Sequence, residues 1–270
     1  MKRVLTAVVA MPLVVAAVFV LPPAWILVLA VALTELAVFE YVKLARRAGA
    51  DRVVGLLPYL VPAAAVYLTL DLWGFEEAPQ PDLLLAALLV SGVVAIAALA
   101  ARGDFRASLG AIGALSFGLP YFTLAVTSYS RLQELSPWFL VLLLAIVWGG
   151  DSAAFFFGTR WGRRKLAPVV SPHKTWLGAV AGFLTALVAA ALWSQLRYQQ
   201  LEPAILAAAA AAAIAAQLGD LVESLFKRAV GVKDSGDLLP GHGGMLDRMD
   251  AALLAAPVFY LALRALGVAA

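Results

Sequence analysis

Four carboxylates in the last quarter of the chain are spaced so that they could hold a metal ion. Asp220 and Glu223 are three residues apart in one segment, and Asp247 and Asp250 have the same spacing before the last apolar run. Side chains at that spacing share one face of a helix. With no cysteine and only two histidines in the chain, oxygen ligands favour Mg²⁺ over Zn²⁺. Because Mg²⁺ leaves coordination positions to substrate phosphates, the acids predict a phosphate-bearing substrate.

Three of these acids also have a structural alternative. Asp220 could pair with Lys227 or Arg228, seven and eight residues further along the same helix. Asp247 and Asp250 could instead stabilise the N-terminus of a helix, where the helix dipole is positive. One carboxylate would suffice for that purpose, however, and the two pairs together favour a metal site.

Basic residues and glycines are interleaved with these acids. The basic candidates for binding phosphates are Lys227, Arg228, Lys233, His242 and Arg248. Gly241, Gly243 and Gly244 could bring backbone N–H groups close to an anion. For any single basic residue, anchoring at the inner membrane surface is the alternative. A nucleoside triphosphate with its metal ion would need both signs of charge together.

A second polar segment precedes another apolar run. Ser171, Lys174 and Thr175 predict a short polar turn at a helix N-terminus, where free N–H groups and the helix dipole attract anions. Alternatively, Ser171 or Thr175 caps the helix and Lys174 extends to the interface. Asp151, near the end of the preceding apolar run, is an outlying ligand candidate.

Two further acids lie in the second apolar run. Glu40 is near its inner end, and its expected partner is Lys43. Glu35 lies deeper, and its role stays open because a carboxylate at membrane depth needs a polar partner that the sequence does not identify.

The segments that must position these residues are long and apolar. Of the 270 residues, 63% are hydrophobic and 14% are charged, which excludes an ordinary soluble domain. Nine runs are long enough to cross about 30 Å of hydrocarbon. They lie at 4–21, 24–42, 53–70, 83–101, 108–128, 137–157, 175–196, 203–222 and 250–268. The prediction is an all-α polytopic membrane protein, with five helices in residues 1–130 and four, carrying the site, in 131–270.

The distribution of Lys and Arg predicts the orientation. With the N-terminus inside, 17 of the 20 basic residues fall on the inner side, as the positive-inside rule requires. The C-terminus is then outside, and the polar connections 158–174 and 223–249 are cytoplasmic. We therefore expect the site on the cytoplasmic face of the cell's inner (plasma) membrane. Because the positive charges follow the membrane, nucleic-acid binding is excluded.

Residues 224–250, SLFKRAVGVKDSGDLLPGHGGMLDRMD, resemble the signature of the phosphatidate cytidylyltransferases, also called CDP-diacylglycerol synthases. That pattern is Ser-x-x-Lys-Arg, Lys-Asp, Pro-x-His-Gly-Gly and Asp-Arg-x-Asp, and every position is filled here. Upstream, SPHKTWLG at 171–178 is similar to the family's Ser-Pro-x-Lys-Thr motif, and Asp151 matches the acid before it. Leu177 stands where the family usually has Glu, and Phe155 stands where it usually has an aromatic hydroxyl.

The resemblance implies transfer of CMP from CTP to phosphatidic acid, which gives CDP-diacylglycerol and pyrophosphate in phospholipid biosynthesis and requires Mg²⁺. A second, monovalent cation and a homodimer stay open. The expected catalytic residues are Asp220, Asp247, Lys227 and Arg228. The expected substrate-binding residues are Ser171, Lys174, Thr175, Lys233, His242, Gly243, Gly244 and Arg248. The expected metal ligands are Asp220, Asp247, Asp250 and Glu223.

Two other functions stay open as alternatives. A CTP-dependent polyprenol or dolichol kinase would use the same nucleotide with a lipid acceptor and would release CDP. An ion-coupled transporter could be built around Glu35, Asp151 and Asp220. The sequence shows no inverted repeat between its halves, and its charges gather on one side of the membrane, which argues against a transporter.

Overall fold

The computed structural model describes residues 2–70, 104–236 and 243–268, which are predominantly helical. The helices are α1 (Lys2–Val20), α2 (Pro23–Arg47), α3 (Leu57–Tyr67), α4 (Phe105–Leu135), α5 (Pro137–Trp161), α6 (Trp176–Tyr198), α7 (Pro203–Ala229) and α8 (Leu246–Ala265). A 3₁₀ helix at Arg52–Leu56 leads into α3. Helices α2, α5 and α7 each begin at a proline, whose fixed φ and missing N–H suit the first helical position.

Eight of the nine predicted apolar runs coincide with helices, and the run at 83–101 lies outside the described residues. Among the described residues, five helices are long and apolar enough to cross a membrane: α2, α4, α5, α6 and α7. Shorter apolar helices occupy Met11–Val20 and Arg52–Tyr67. The chain is therefore a mostly helical, multi-pass membrane protein.

The connection between α5 and α6 corrects one prediction. Residues 171–175, expected to form a polar turn, form a β-strand, β2 (Ser171–Thr175), which pairs antiparallel with β1 (Lys165–Ala167). Lys165 lies opposite Thr175, and Ala167 lies opposite Ser171. Strands this short leave no alternating pattern of hydrophobicity in a sequence, so the hairpin could not be recognised from it.

The chain folds into two compact units. The first comprises Met1–Pro22, Ser128–Leu225 and Met249–Ala270, and the second comprises Pro23–Thr127 and Phe226–Arg248. The division at residue 130 that the sequence suggested stays a prediction.

In the first unit, α5 and α6 pack through small residues. A Cβ added at Gly182 would lie 2.8 Å from the Gly150 carbonyl oxygen, and one at Gly178 would lie 2.6 Å from that of Ala154. Membrane helices approach this closely only where small residues line the contact. On α7 the alanine run supplies a similar buried face. Its buried residues are Ile205, Ala208, Ala209, Ala212, Ala213, Ala215, Ala216, Gly219, Glu223 and Ser224.

In the second unit, the C-terminal half of α2 packs on the N-terminal half of α4. The Tyr41 hydroxyl donates a hydrogen bond to the Ala114 carbonyl at 3.0 Å. The Tyr41 ring lies edge-on to Phe122 and Phe226, at centroid distances of 5.4 and 5.1 Å. An apolar cavity of about 280 Å³ lies beside these rings and is also lined by Phe117.

Candidate active site

Three of the four predicted metal ligands lie together in the first unit. One carboxylate oxygen from each of Asp220, Glu223 and Asp250 lies within 4.8 Å of the other two. Asp220 and Glu223 come from α7, and Asp250 comes from the first turns of α8. Glu223 continues the buried face of α7 and is only 1% exposed. Carboxylates held this close together repel one another unless a cation lies among them, so this group, which we call the acidic cluster, is the candidate metal site.

Lys174 supplies a positive charge to the acidic cluster. Its Nζ forms an ion pair with Asp220 Oδ2 at 2.5 Å. Asp151 and Asp250 both interact electrostatically with Asp220 and Lys174. The structural alternative for Asp220 was an ion pair with Lys227 or Arg228 on its own helix. The structure instead pairs Asp220 with Lys174 of β2.

Three contacts fix the position of the acidic cluster. A Cβ at Gly219 would collide with the Asp250 backbone oxygen, so glycine allows α7 and α8 to touch at this point. Gln217 Nε2 donates to the Ala179 carbonyl at 3.0 Å and ties α7 to α6. Thr175 is buried and its hydroxyl oxygen accepts from Gly178 N at 3.1 Å, which caps α6 directly after Lys174. Thr175 was considered as part of an anion-binding turn or as a helix cap, and this hydrogen bond is that of a helix cap.

Asp247 lies in the second unit, where four donors reach its carboxylate. Oδ1 accepts from Lys227 Nζ at 2.6 Å. Oδ2 accepts from Ser235 N at 2.9 Å and from Gly244 N at 2.8 Å, and it lies 2.9 Å from Ser235 Oγ. The backbone N–H of Gly244, which was expected to approach a substrate anion, therefore donates to Asp247. The role of Asp247 as a metal ligand stays a prediction.

The glycines at 243 and 244 meet two different needs. Gly243 has a φ of +78°, which side chains rarely adopt, and a Cβ there would lie 2.9 Å from Asp247 Oδ2. A Cβ at Gly244 would collide with Ser235 Oγ and with Glu40 Oε2. Gly241 and His242 lie outside the described residues.

The remaining basic candidates are at the surface. Arg228, Lys233 and Arg248 are exposed, and Arg228 Nη1 donates to the Val232 carbonyl at 3.3 Å. Ser171 is half-buried in β2. The contacts of these four residues with phosphates remain predictions.

Sequence reasoning missed the role of Glu40. The structure gives this side chain three donors, from Ser235, Met245 and Leu246, in place of the expected Lys43. Glu40 Oε1 accepts from Met245 N at 3.0 Å, and Oε2 accepts from Leu246 N at 2.9 Å and lies 2.8 Å from Ser235 Oγ. The available signal was a carboxylate near the C-terminal end of α2, on the same predicted side of the membrane as 223–249.

Comparison with known proteins places the whole chain in one group. A family model described as the cytidylyltransferase family matches residues 1–266. A phosphatidate cytidylyltransferase of Pseudomonas aeruginosa is 33% identical over 98% of this chain and 97% of its own length. One from Thermotoga maritima is 34% identical over 77% of this chain and 78% of its own length. A third, from Haemophilus influenzae, is 46% identical, but its alignment spans only 44% of this chain and 43% of that protein.

Proposed function

The chain belongs to the cytidylyltransferase family, and on that basis we propose that it transfers CMP from CTP to phosphatidate, producing CDP-diacylglycerol and pyrophosphate. The resemblance read from 224–250 and 171–178 is confirmed by the family match and by relatives that carry the name phosphatidate cytidylyltransferase. Within this chain, the observation that supports the proposal is the acidic cluster with Lys174 beside it.

The acidic cluster fits a magnesium ion. Its three oxygens lie within 4.8 Å of one another, and hard oxygen ligands suit Mg²⁺. We propose Asp220, Glu223 and Asp250 as ligands, and Asp247 remains a proposed fourth. When bound, the ion would neutralise charge on the nucleotide phosphates. Lys174 would then be released from Asp220 to serve the same phosphates.

The reaction needs little proton transfer. The phosphate group of phosphatidate is already an anionic nucleophile, and one of its oxygens attacks the α-phosphorus of CTP. The bond from that phosphorus to the oxygen bridging to the β-phosphate breaks, and its electron pair leaves with pyrophosphate. Catalysis of such a step rests on positioning and on neutralising charge. We assign those roles to the basic candidates, which are Lys174, Lys227, Arg228, Lys233, His242 and Arg248. Ser171, Thr175 and the backbone of Gly243 are further proposed substrate contacts. Gly244 would join them only once its N–H is released from Asp247.

The proposed arrangement in the membrane follows the charge distribution. We propose nine spans, an inside N-terminus, an outside C-terminus and a site that faces the cytoplasm, because 17 of the 20 Lys and Arg residues then lie inside. Phosphatidate would reach the site from within the bilayer.

Product analysis with two labels tests the proposed reaction. Purified protein in detergent is incubated with Mg²⁺, phosphatidate and CTP labelled at either the α- or the γ-phosphate. We expect the α label to enter the lipid phase and the γ label to appear in pyrophosphate. Transfer of the γ label to a lipid acceptor, with release of CDP, would instead identify a kinase. A protein that transfers neither label would lead back to the transporter alternative.

A further inference from the structure

Glu40 joins α2 to the polar connection that precedes α8. Its side chain is 5% exposed, although it is charged and belongs to an apolar helix. It accepts hydrogen bonds from two consecutive backbone N–H groups, those of Met245 and Leu246, where α8 begins. Unsatisfied N–H groups at a helix start are normally capped by a neighbouring side chain, whereas here the cap comes from a residue about 200 positions earlier.

The contacts require a carboxylate of this length. Each oxygen of Glu40 accepts from a different backbone N–H, so an amide in either orientation would place its NH₂ group against one of these donors. Two glycines close around the group, since a Cβ at Gly236 or at Gly244 would collide with the carboxylate. Shortening the side chain to Asp would withdraw both oxygens from these donors.

Ser235 extends the contact from Glu40 to Asp247. The Ser235 hydroxyl lies 2.8 Å from Glu40 Oε2 and 2.9 Å from Asp247 Oδ2, and its single hydrogen serves one of them at a time. Asp247 in turn accepts from Lys227 at 2.6 Å. The connection from Glu40 to Lys227 therefore passes through groups that are each within hydrogen-bond distance of the next.

We propose that Glu40 is a positioning residue of the reaction, which holds the start of α8 and Ser235 so that Asp247 and Lys227 keep their relative geometry. This inference rests on the proposed function, in which Asp247 binds the metal ion and Lys227 binds the phosphates. Glu40 itself touches no substrate. It acts through Ser235 and through the backbone N–H groups of Met245 and Leu246.

Kinetics of matched variants at Glu40 and Glu35 provide the first test. Glu35 lies five residues earlier on α2, and its Oε1 has no hydrogen-bond partner among the described residues, so Glu35→Gln is the control for loss of a carboxylate in this helix. We expect Glu40→Gln and Glu40→Asp to lower kcat at saturating substrates by at least about tenfold per folded molecule, equivalent to about 1.4 kcal/mol in the barrier. Glu35→Gln should retain the wild-type kcat. An equal fall in Glu35→Gln, or a wild-type kcat in Glu40→Gln, would overturn the proposal.

A spin label provides the second test and does not depend on turnover. The chain has no cysteine, so Met245→Cys creates a single labelling site beside the backbone that Glu40 holds. We expect the label to become more mobile when Glu40→Gln is added and to remain unchanged when Glu35→Gln is added. If Glu40→Gln lowers only the melting temperature, and the label and the kcat per folded molecule are unchanged, Glu40 is a structural cap and the proposal is wrong. If the wild type transfers no CMP, the proposed function fails, and the spin label still reports whether Glu40 holds the connection.

Discussion

At the scale of single residues, Lys174 decides the charge balance of the acidic cluster. Its ammonium group is 2.5 Å from Asp220 Oδ2, and Asp151 and Asp250 interact with both members of this pair. Carboxylates held close together repel one another unless a cation lies among them. Lys174 and a divalent ion therefore perform the same electrostatic task, and either one reduces the need for the other.

This relation predicts how Lys174→Met responds to magnesium. In the presence of a chelator we expect the variant to melt at least about 2–4 °C below the wild type, because about 1 kcal/mol of compensation is lost. Adding Mg²⁺ should then raise the melting temperature of the variant by more than it raises that of the wild type. Lys165→Met, an exposed change in the paired strand β1, is the control. Equal Mg²⁺ shifts in the variant and the wild type would show that Lys174 does not compensate these acids.

The sequence identified the charged residues but not their partners. Spacing predicted that Asp220 and Glu223 share a helix face, and the structure confirms that they lie within one group with Asp250. The sequence could not predict that Lys174 would reach Asp220, because that contact depends on a hairpin whose strands show no alternating pattern of hydrophobicity. Glu40 was paired with Lys43 because only local neighbours are visible in a sequence, whereas its actual donors are about 200 residues away.

At the scale of elements, hydropathy located the helices better than it located their ends. The run predicted at 24–42 continues as helix to Arg47, and the run at 203–222 continues to Ala229. Hydropathy reports the apolar thickness of the membrane, and a helix can extend beyond it with polar turns. Such a turn of α7 carries Glu223 and Lys227, so the extra length matters for the candidate residues.

The contact of α7 with α8 links helix packing to metal binding. Gly219→Ala would put a methyl group where the Asp250 backbone oxygen now lies, and the helices would have to separate. We expect the Mg²⁺ concentration for half-maximal turnover to rise by at least about threefold, since Asp250 moves away from Asp220 and Glu223. Leu218→Ala, at a neighbouring position that is 49% exposed, should leave that concentration unchanged. An unchanged Mg²⁺ requirement in Gly219→Ala would show that the contact between α7 and α8 does not position the metal site.

At the scale of the whole molecule, the membrane class follows from composition alone, but the fold into two compact units does not. A chain that is 63% hydrophobic cannot remain in water as a monomeric domain. The units, in contrast, combine segments from distant parts of the chain. Hydropathy describes each segment separately and carries no information about which segments pack together.

The orientation can be tested with reporter fusions. Because the basic residues gather in alternate connections, we expect reporters after residues 48, 168 and 236 to be cytoplasmic and reporters after 76 and 200 to be external. An external reporter at 76 with a cytoplasmic one at 168 would require an odd number of spans between them, and the predicted helix at 83–101, which lies outside the described residues, would supply the third beside α4 and α5. A reporter at 236 on the external side would contradict the proposed cytoplasmic site.

We propose that the acidic cluster holds the metal ion required for CMP transfer. The direct measurement combines Mn²⁺ binding, followed by electron paramagnetic resonance, with turnover of the same metal-stripped samples. We expect wild-type protein to regain CMP transfer as it binds Mn²⁺, and Asp220→Asn, Glu223→Gln and Asp250→Asn each to lose at least about tenfold in both quantities. Glu202→Gln, just before α7, should behave like the wild type. Full turnover by the metal-stripped wild type, or wild-type Mn²⁺ binding in all three variants, would contradict the account.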